Sequence, residues 1–216
     1  MQIAIDGPAG AGKSTIAKKI AEAYGIIYLD TGAMYRCIAH CVLMQGDNFK
    51  DTEKIIKLAK EAVIIFQGDQ VFCNGMDVTE AIRTPLVSLH TSDVACIKEV
   101  RELLVEQQQK IAFDQSVIMD GRDIGSVVLP QADYKFFLDA DVTERALRRK
   151  KELDARGIEK SWESIKQEIE KRDENDRNRT ESPLIQVADA IVVDTTGKSI
   201  EEVCNVIKNH ISGVWV

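Results

Sequence analysis

The chain has 216 residues, a formal net charge of −7 at pH 7, 44% hydrophobic residues and 29% charged ones. That length supports one or two domains with a sizeable core, and the composition is ordinary for a globular fold. The acidic balance provides no global basic field for nucleic acid, and no apolar run approaches the ~20 residues of a membrane-spanning helix.

Five cysteines, at 37, 41, 73, 96 and 204, include no C-x-x-C pair. Their odd count and the absence of a recognisable leader lead us to expect reduced thiols and a cytoplasmic protein. Cys37 and Cys41 are four apart on an expected helix, but no His or further Cys nearby completes a zinc set, and His40 lies on another helical face.

Met1 to Ile5 is a short, mostly apolar run that reads as a strand. It leads into Gly7-Pro8-Ala9-Gly10-Ala11-Gly12-Lys13-Ser14-Thr15, a match to G-x-x-x-x-G-K-[ST]. Residues 16 to 24 follow with apolar side chains at 16, 17, 20 and 23, one helix face. Strand, glycine loop and helix is the arrangement that turns successive backbone N–H groups toward one anion. Lys13 can reach the outer phosphates of a nucleoside triphosphate, and the Ser14 hydroxyl can ligate Mg²⁺.

Ile26 to Leu29 is a second strand, followed by a turn at Asp30-Thr31-Gly32 and a helix to about Met44. Residues 51–62 read as a helix. Val63 to Phe66, Val71 to Cys73 and Met76 to Val78 are short strands joined by Gly-Asp and Asn-Gly turns, so 63–80 reads as an antiparallel meander inserted into an alternating pattern. Helices are expected at 86–95 and 98–113. Ser116 to Asp120 reads as a buried strand, Tyr134 to Asp139 as another, and 141–156 and 161–174 as two charged helices. Ala190 to Asp194 is the last strand, and Ser199-x-x-Glu202 caps a closing helix to about Ile211. Five buried strands alternating with helices imply an α/β fold, a doubly wound five-stranded parallel sheet with a small antiparallel insert. Ligands then gather at the carboxyl ends of the strands.

The remaining motifs narrow the chemistry. No N-K-x-D for guanine is present, and the chain is too short for the coupling machinery of a motor or transport ATPase. Ile118-Met119-Asp120 offers a strand ending in a carboxylate beside Mg²⁺. Arginines recur after strands and in loops: Arg36, Arg83, Arg101 and Arg122, then Arg145, Arg148 and Arg149 on one helix, then Arg172, Arg177 and Arg179 before Pro183. The guanidinium fork binds phosphate oxygens bidentately and stays charged, which is what bringing two phosphorylated molecules together requires. His40, His90 and His210 match no triad or metal spacing, and Trp162 and Trp215 read as packing residues.

Several blocks in order make the chain resemble the bacterial cytidylate kinases, the (d)CMP kinases of the nucleoside monophosphate kinase family. They are Ile5 to Thr15, Leu29-Asp30-Thr31-Gly32-Ala33-Met34-Tyr35-Arg36, Ile82-Arg83-Thr84, Asp120-Gly121-Arg122-Asp123-Ile124-Gly125, Phe137-Leu138-Asp139-Ala140, Arg172-Asp173 and Asp176-Arg177-Asn178-Arg179. The resemblance covers nearly the whole length. It implies a core (1–36, 114–144 and 175–216), a monophosphate-binding region (37–113, with the meander) and a helical lid (145–174). The implied reaction moves the γ-phosphoryl of ATP, with Mg²⁺, to CMP or dCMP.

By the same resemblance, Gly7 to Thr15 hold ATP and Ser14 holds Mg²⁺, with Asp120 as a possible companion. Thr31, Arg36 and Arg122 hold the acceptor phosphate; Ser often stands in the family where Thr31 does, and the hydroxyl is kept. Ser92, Arg101 and Asp123 read the cytosine edge, Arg172 and Asp176 the ribose, and Arg179 sits near base and phosphate. Lys13, Arg122, Arg145 and Arg149 are implied to act on the migrating group, with the neighbouring Arg148, Lys150 and Lys151 read as solvated. Tyr35 is an open candidate for acceptor contact. The expected partners are ATP and CMP or dCMP alone, with no nucleic acid or membrane, and the chain is expected to be a monomer. The alternatives are a P-loop kinase for UMP, AMP or a non-nucleotide acceptor, and a non-catalytic NTP-binding module.

Overall fold

The computed structural model describes residues 1–213; Trp215 lies outside the described residues. The elements, in chain order, are β1 (Gln2–Asp6), α1 (Lys13–Tyr24), β2 (Ile27–Asp30), α2 (Thr31–Met44), α3 (Thr52–Glu61), β3 (Ile64–Gln67), β4 (Gln70–Cys73), β5 (Met76–Asp77), α4 (Pro85–Ala95), α5 (Lys98–Ala112), β6 (Val117–Gly121), β7 (Tyr134–Asp139), α6 (Val142–Ala155), α7 (Trp162–Asn178), β8 (Ile191–Asp194) and α8 (Ile200–Ser212). They divide into two compact units, Met1–Tyr28 with Asp114–Val216, and Leu29–Phe113. The second begins at Leu29, whereas the sequence reading opens the monophosphate-binding region at 37.

A five-stranded parallel sheet runs in the order β2-β6-β1-β7-β8. β1 pairs in parallel with β6 and with β7, and β7 with β8. Such a sheet, covered on both faces, wants unbroken apolar strands. β6 meets that demand with all five residues buried. Ile3, Ile5, Ile118, Phe136 and Leu138 from the strands pack with Ile16, Ile20, Val203 and Ile207 from α1 and α8 in one core. α8 opens on the expected capping box, the Ser199 side chain and Glu202 satisfying each other's backbone N–H.

α6 and α7 form a hairpin with its own small core of Ala146, Leu153, Ile165 and Ile169. Trp162 packs there, as its reading required, with Lys166 over its ring.

In the second unit, β3, β4 and β5 form the antiparallel meander. α2 and α3 share a core with α4, α5 and the meander through Ile38, Ile55, Val71, Val87 and Leu104.

Four local features differ from the sequence reading. α1 begins at Lys13, directly from the glycine loop. α2 begins at Thr31 without an intervening turn, because the Asp30 side chain caps it by accepting from Ala33 N. α7 runs to Asn178, four residues beyond the expected end at 174, since no Gly or Pro interrupts it before Pro183. It therefore carries Arg172, Asp176 and Arg177 on one helix. Finally, Ile124–Val128 forms a single π-turn after β6, which no periodicity announced.

Candidate active site

The glycine loop leaves the end of β1. Gly7 has φ +146°, and a Cβ there would sit 1.9 Å from the Leu138 carbonyl oxygen on β7. Gly7 is thus required by the neighbouring strand. Gly12 caps α1 with φ +88° and no side-chain cap bond, so the first-turn N–H groups of α1 stay available to an anion.

Lys13 is buried and its Nζ donates to the Pro8 carbonyl at 2.8 Å, so its ammonium is folded inside the loop. Burial, followed by the charge of Arg122, lowers its pKa to about 7. The Ser14 hydroxyl donates to Asp120 Oδ2 at 2.8 Å, and the Tyr28 hydroxyl donates to Asp120 Oδ1 at 2.7 Å. Two hard oxygen donors thus meet at the loop's edge. No cluster of three or more His, Cys, Asp or Glu able to hold a metal occurs among the described residues. Magnesium needs none, since it is held by one or two protein oxygens and substrate phosphates.

Beyond Asp120, the end of β6 brings Arg122 and Asp123 onto the same unit. Arg122 Nε donates to Asp176 Oδ2 on α7 at 2.7 Å, and its NH1 donates to the Gly121 carbonyl at 3.2 Å. Burial alone raises the Asp176 pKa, yet Arg122, Arg172 and Arg179 together pull it below the usual carboxylate range. The same carboxylates hold the Arg122 charge: burial works against it, and Asp176, Asp120 and Asp173 outweigh burial and raise its pKa. Arg179 lies 3.9 Å from Asp123 Oδ1 and 3.8 Å from Asp176 Oδ1. Its Nε donates to the Ser182 carbonyl at 2.5 Å, which fixes the guanidinium just past the end of α7. Arg122, Asp123, Asp176 and Arg179 therefore form one network around two buried carboxylates, with Arg172 one helical turn before Asp176.

The arginines of α6 divide by partner. Arg145 is 5% exposed and meets three acceptors: Nε donates to Ala140 O at 2.9 Å, and NH1 to Ala9 O at 3.0 Å and Asp173 Oδ2 at 2.6 Å. Its Cβ would lie 3.1 Å from a Cβ at Gly10, so α6 is seated on the loop. Arg149 pairs with Glu152 at 2.7 Å. Arg148, read as solvated, instead donates to Thr195 Oγ1 at 3.0 Å and Thr195 O at 2.6 Å, while Thr195 donates to Ala11 O at 3.2 Å. Arg148 and Thr195 thus border the glycine loop. Helical spacing from Arg145 gave no hint of this, because the contact depends on the connection after β8.

The second unit carries the other expected acceptor residues. Arg36 NH2 donates to Asp30 Oδ2 at 2.6 Å, and Asp30 is also the α2 cap. Thr31, the first residue of α2, is buried. Arg101 is buried and donates from NH1 to the Ala95 carbonyl at 3.2 Å, across the α4–α5 connection. Ser92 lies one turn before that carbonyl on α4. Tyr35 lies under the Arg101 guanidinium at 5.3 Å from ring centroid to Cζ, so its ring orients that arginine. The sequence reading missed Tyr28, Arg148, Thr195 and Asp6. Asp6, beside Gly7 in the motif, was legible as a buried carboxylate at a strand end.

His90 pairs with Asp93 at 2.7 Å and stacks on Phe49, His210 meets the Phe136 ring edge-on, and burial lowers the His40 pKa. All five cysteines are free, with the Cys41 and Cys73 sulfurs 3.6 Å apart. No helix among the described residues is long and apolar enough to cross a membrane.

The fold is similar to that of an uncharacterized protein from Eubacterium ventriosum ATCC 27560, with a TM-score of 0.58 and 14% identity over 98% of each chain. The sequence is 51% identical over 203 residues to the cytidylate kinase of Caldanaerobacter subterraneus subsp. tengcongensis, covering 94% of this chain and 91% of the relative. It is 50% identical over 214 residues to that of Alkaliphilus oremlandii, covering 99% of each. The cytidylate kinase family pattern matches residues 3–213, and with half of all positions shared along nearly the full length, the chain belongs to the cytidylate kinase family.

Proposed function

We propose that the chain transfers the γ-phosphoryl group of ATP to CMP or dCMP, giving ADP and the pyrimidine nucleoside diphosphate. The observation that carries this reading is the juxtaposition, within one unit, of a phosphate loop with an Arg122–Asp176–Arg179–Asp123 network. The loop suits a triphosphate; the network suits an anionic acceptor bearing a ribose and a base.

On this reading the loop from Gly7 to Thr15 cradles the donor phosphates. Lys13, whose charge burial disfavours, is stabilised in its charged form by those phosphates and follows the migrating group. Ser14 and Asp120 would hold Mg²⁺, which supplies charge neutralisation at the phosphates when bound. Arg122, with Thr31 and Arg36, holds the acceptor phosphate. Asp123 accepts from the cytosine amine while Ser92 and Arg101 read the rest of its edge. A uracil carbonyl would face that carboxylate unpaired, so UMP is disfavoured, by up to orders of magnitude. Arg172 and Asp176 take the ribose hydroxyls, and Arg179 stays near base and phosphate.

No side chain acts as a strong base. The attacking atom is already a phosphate oxygen, so positioning and charge stabilisation supply the rate. Arg145 and Arg149 reach the migrating phosphoryl as parts of a lid at 145–174. Both are engaged by carboxylates, Asp173 and Glu152, so that role requires the ion pairs to open as the lid closes over substrate and excludes water. Residues 37–113 act as the monophosphate-binding region and the remainder as the core. A cytoplasmic monomer with free thiols completes the reading.

A coupled ADP-release assay with CMP, dCMP, UMP and AMP tests it. CMP and dCMP are expected to dominate. Equal rates across the four acceptors would refute the acceptor assignment, and no ADP with any of them would point to a non-catalytic module.

A further inference from the structure

Asp6 ends β1, one residue before the glycine loop, and is 5% exposed. Its two carboxylate oxygens accept from two backbone donors of the π-turn: Oδ1 from Ile124 N at 2.8 Å and Oδ2 from Gly125 N at 2.7 Å. These are the two residues that follow Asp123. Farther along, the turn closes on itself, Val128 N donating to Asp123 O at 3.2 Å and Leu129 N to Ile124 O at 2.7 Å. Asp123 thus sits between the end of β6 and a turn whose first two N–H groups are claimed by Asp6.

The seat is tight. A Cβ on Gly125 would lie 3.3 Å from Asp6 Oδ2 and 3.2 Å from the Lys135 side chain. Placing a carboxylate there is costly. Burial, and to a smaller extent the Asp123 charge, raise its pKa, the two N–H bonds and Lys13 work the other way, and the balance lies at about 6. A neutral side chain would close the strand end without that cost, but an amide offers one acceptor atom for two donors.

We propose that Asp6 is a positioning residue for acceptor recognition, its carboxylate tying the turn that aims Arg122 and Asp123 to the strand that launches the phosphate loop. It touches neither nucleotide. It sets the spacing between the wall that binds the donor phosphates and the wall that reads the acceptor base. The inference rests on the assignment of Asp123 to the cytosine edge.

Two variants test it from opposite sides of the contact. Asp6→Asn removes one acceptor and turns an amide N–H toward a backbone donor. Gly125→Ala pushes the turn off its seat with Asp6 intact. KM values for CMP, UMP and ATP and the corresponding kcat are measured for each, with far-UV circular dichroism and urea unfolding to establish that the variant is folded. In both, the KM for CMP is expected to rise and the CMP-to-UMP ratio of kcat/KM to fall by about 10-fold or more, as a misplacement of this kind costs up to ~10²-fold. The KM for ATP is expected to stay within about 2-fold.

A residue serving stability alone would lower the folded fraction, and with it kcat for every acceptor, leaving the ratio unchanged. An unchanged ratio in folded Gly125→Ala, or equal losses for ATP and CMP, overturns the proposal even if Asp6→Asn fails to fold. If the unmodified enzyme shows no CMP preference, or Asp123→Ala retains it, the acceptor reading itself fails and the Asp6 inference falls with it. If both those controls behave and the two variants do not, the Asp6 inference alone is refuted.

Discussion

Two glycines of the same motif should fail for different reasons. An alanine at Gly7 places its Cβ 1.9 Å from the Leu138 carbonyl oxygen, where about 3 Å is the closest approach tolerated, so β1 and β7 must part by roughly 1 Å at their ends. Both strands are fixed there by ladder pairing, Asp6 opposite Phe137, and cannot part locally. Overpacking of this kind costs about 1–3 kcal/mol. A φ of +146° forced on alanine adds about 1–3 kcal/mol. Together that is about 2–6 kcal/mol against a typical total of about 5–15 kcal/mol.

At Gly12 the nearest atom to an added Cβ is Arg148 NH1 at 3.9 Å, so space is available. The cost there is the left-handed backbone alone, about 1–2 kcal/mol. The new methyl instead stands at the start of α1, where the proposed function has the donor phosphates approach. Urea unfolding followed by circular dichroism measures stability, and titration of the folded protein with an ATP analogue measures binding. Gly7→Ala should lose mainly stability, with a Tm drop of about 2–4 °C per kcal/mol for a chain of this size. Gly12→Ala should lose mainly nucleotide affinity. If Gly7→Ala proves no less stable than Gly12→Ala, the Leu138 contact does not constrain the loop and the reasoning is wrong.

Asp176→Ala leaves Arg122, whose side chain is 17% exposed, without its carboxylate and should cost up to about 3 kcal/mol of stability by denaturant unfolding, the low end for a buried pair. The double variant with Arg122→Gln should recover part of that loss, and strict additivity would show that the pair is not coupled. The Asp6 carboxyl, raised by burial from 3.8 to about 6, binds its proton more tightly in the folded state than in the unfolded one. Its contribution is therefore fully present below pH 3.8 and is lost as pH rises through about 6. It amounts to about 3 kcal/mol, since each tenfold gain in proton affinity is worth ~1.4 kcal/mol. Unfolding free energies of wild type and Asp6→Asn between about pH 4 and 7.5 should converge in slope outside that window and diverge within it; parallel curves throughout would refute the raised pKa. Asp123→Ala should weaken CMP use far more than ATP binding, and equal losses for both nucleotides would sink its assignment to the base.

The glycine loop and its setting were legible because they are local. Nine consecutive residues, flanked by a strand and a helix, specify the loop, and the structure adds only that Lys13 is held by Pro8 and that Ser14 meets Asp120. The capping box at Ser199 and the packing of Trp162 were equally local and appear as read. The boundary of α7 was not. Its last turn carries Asp176, whose ion pair with Arg122 spans fifty-four positions, and no windowed pattern registers such a partner.

The order of the blocks along the chain, with their residue types, determined by itself the fold class, the phosphate loop and the family. Only the tertiary structure decided which partner each arginine of α6 rests on. Arg145, four residues from Arg149 on one face, rests on Ala9, Ala140 and Asp173, whereas Arg148, on the face expected to be solvated, borders the loop through Thr195. It also decided that Asp6 holds the turn after Asp123, since strand pairing sets residue 6 beside residue 121. Helical and strand periods determine which side of an element a residue occupies. What waits on that side depends on sheet order and crossover, and those are settled by burial summed over the whole chain.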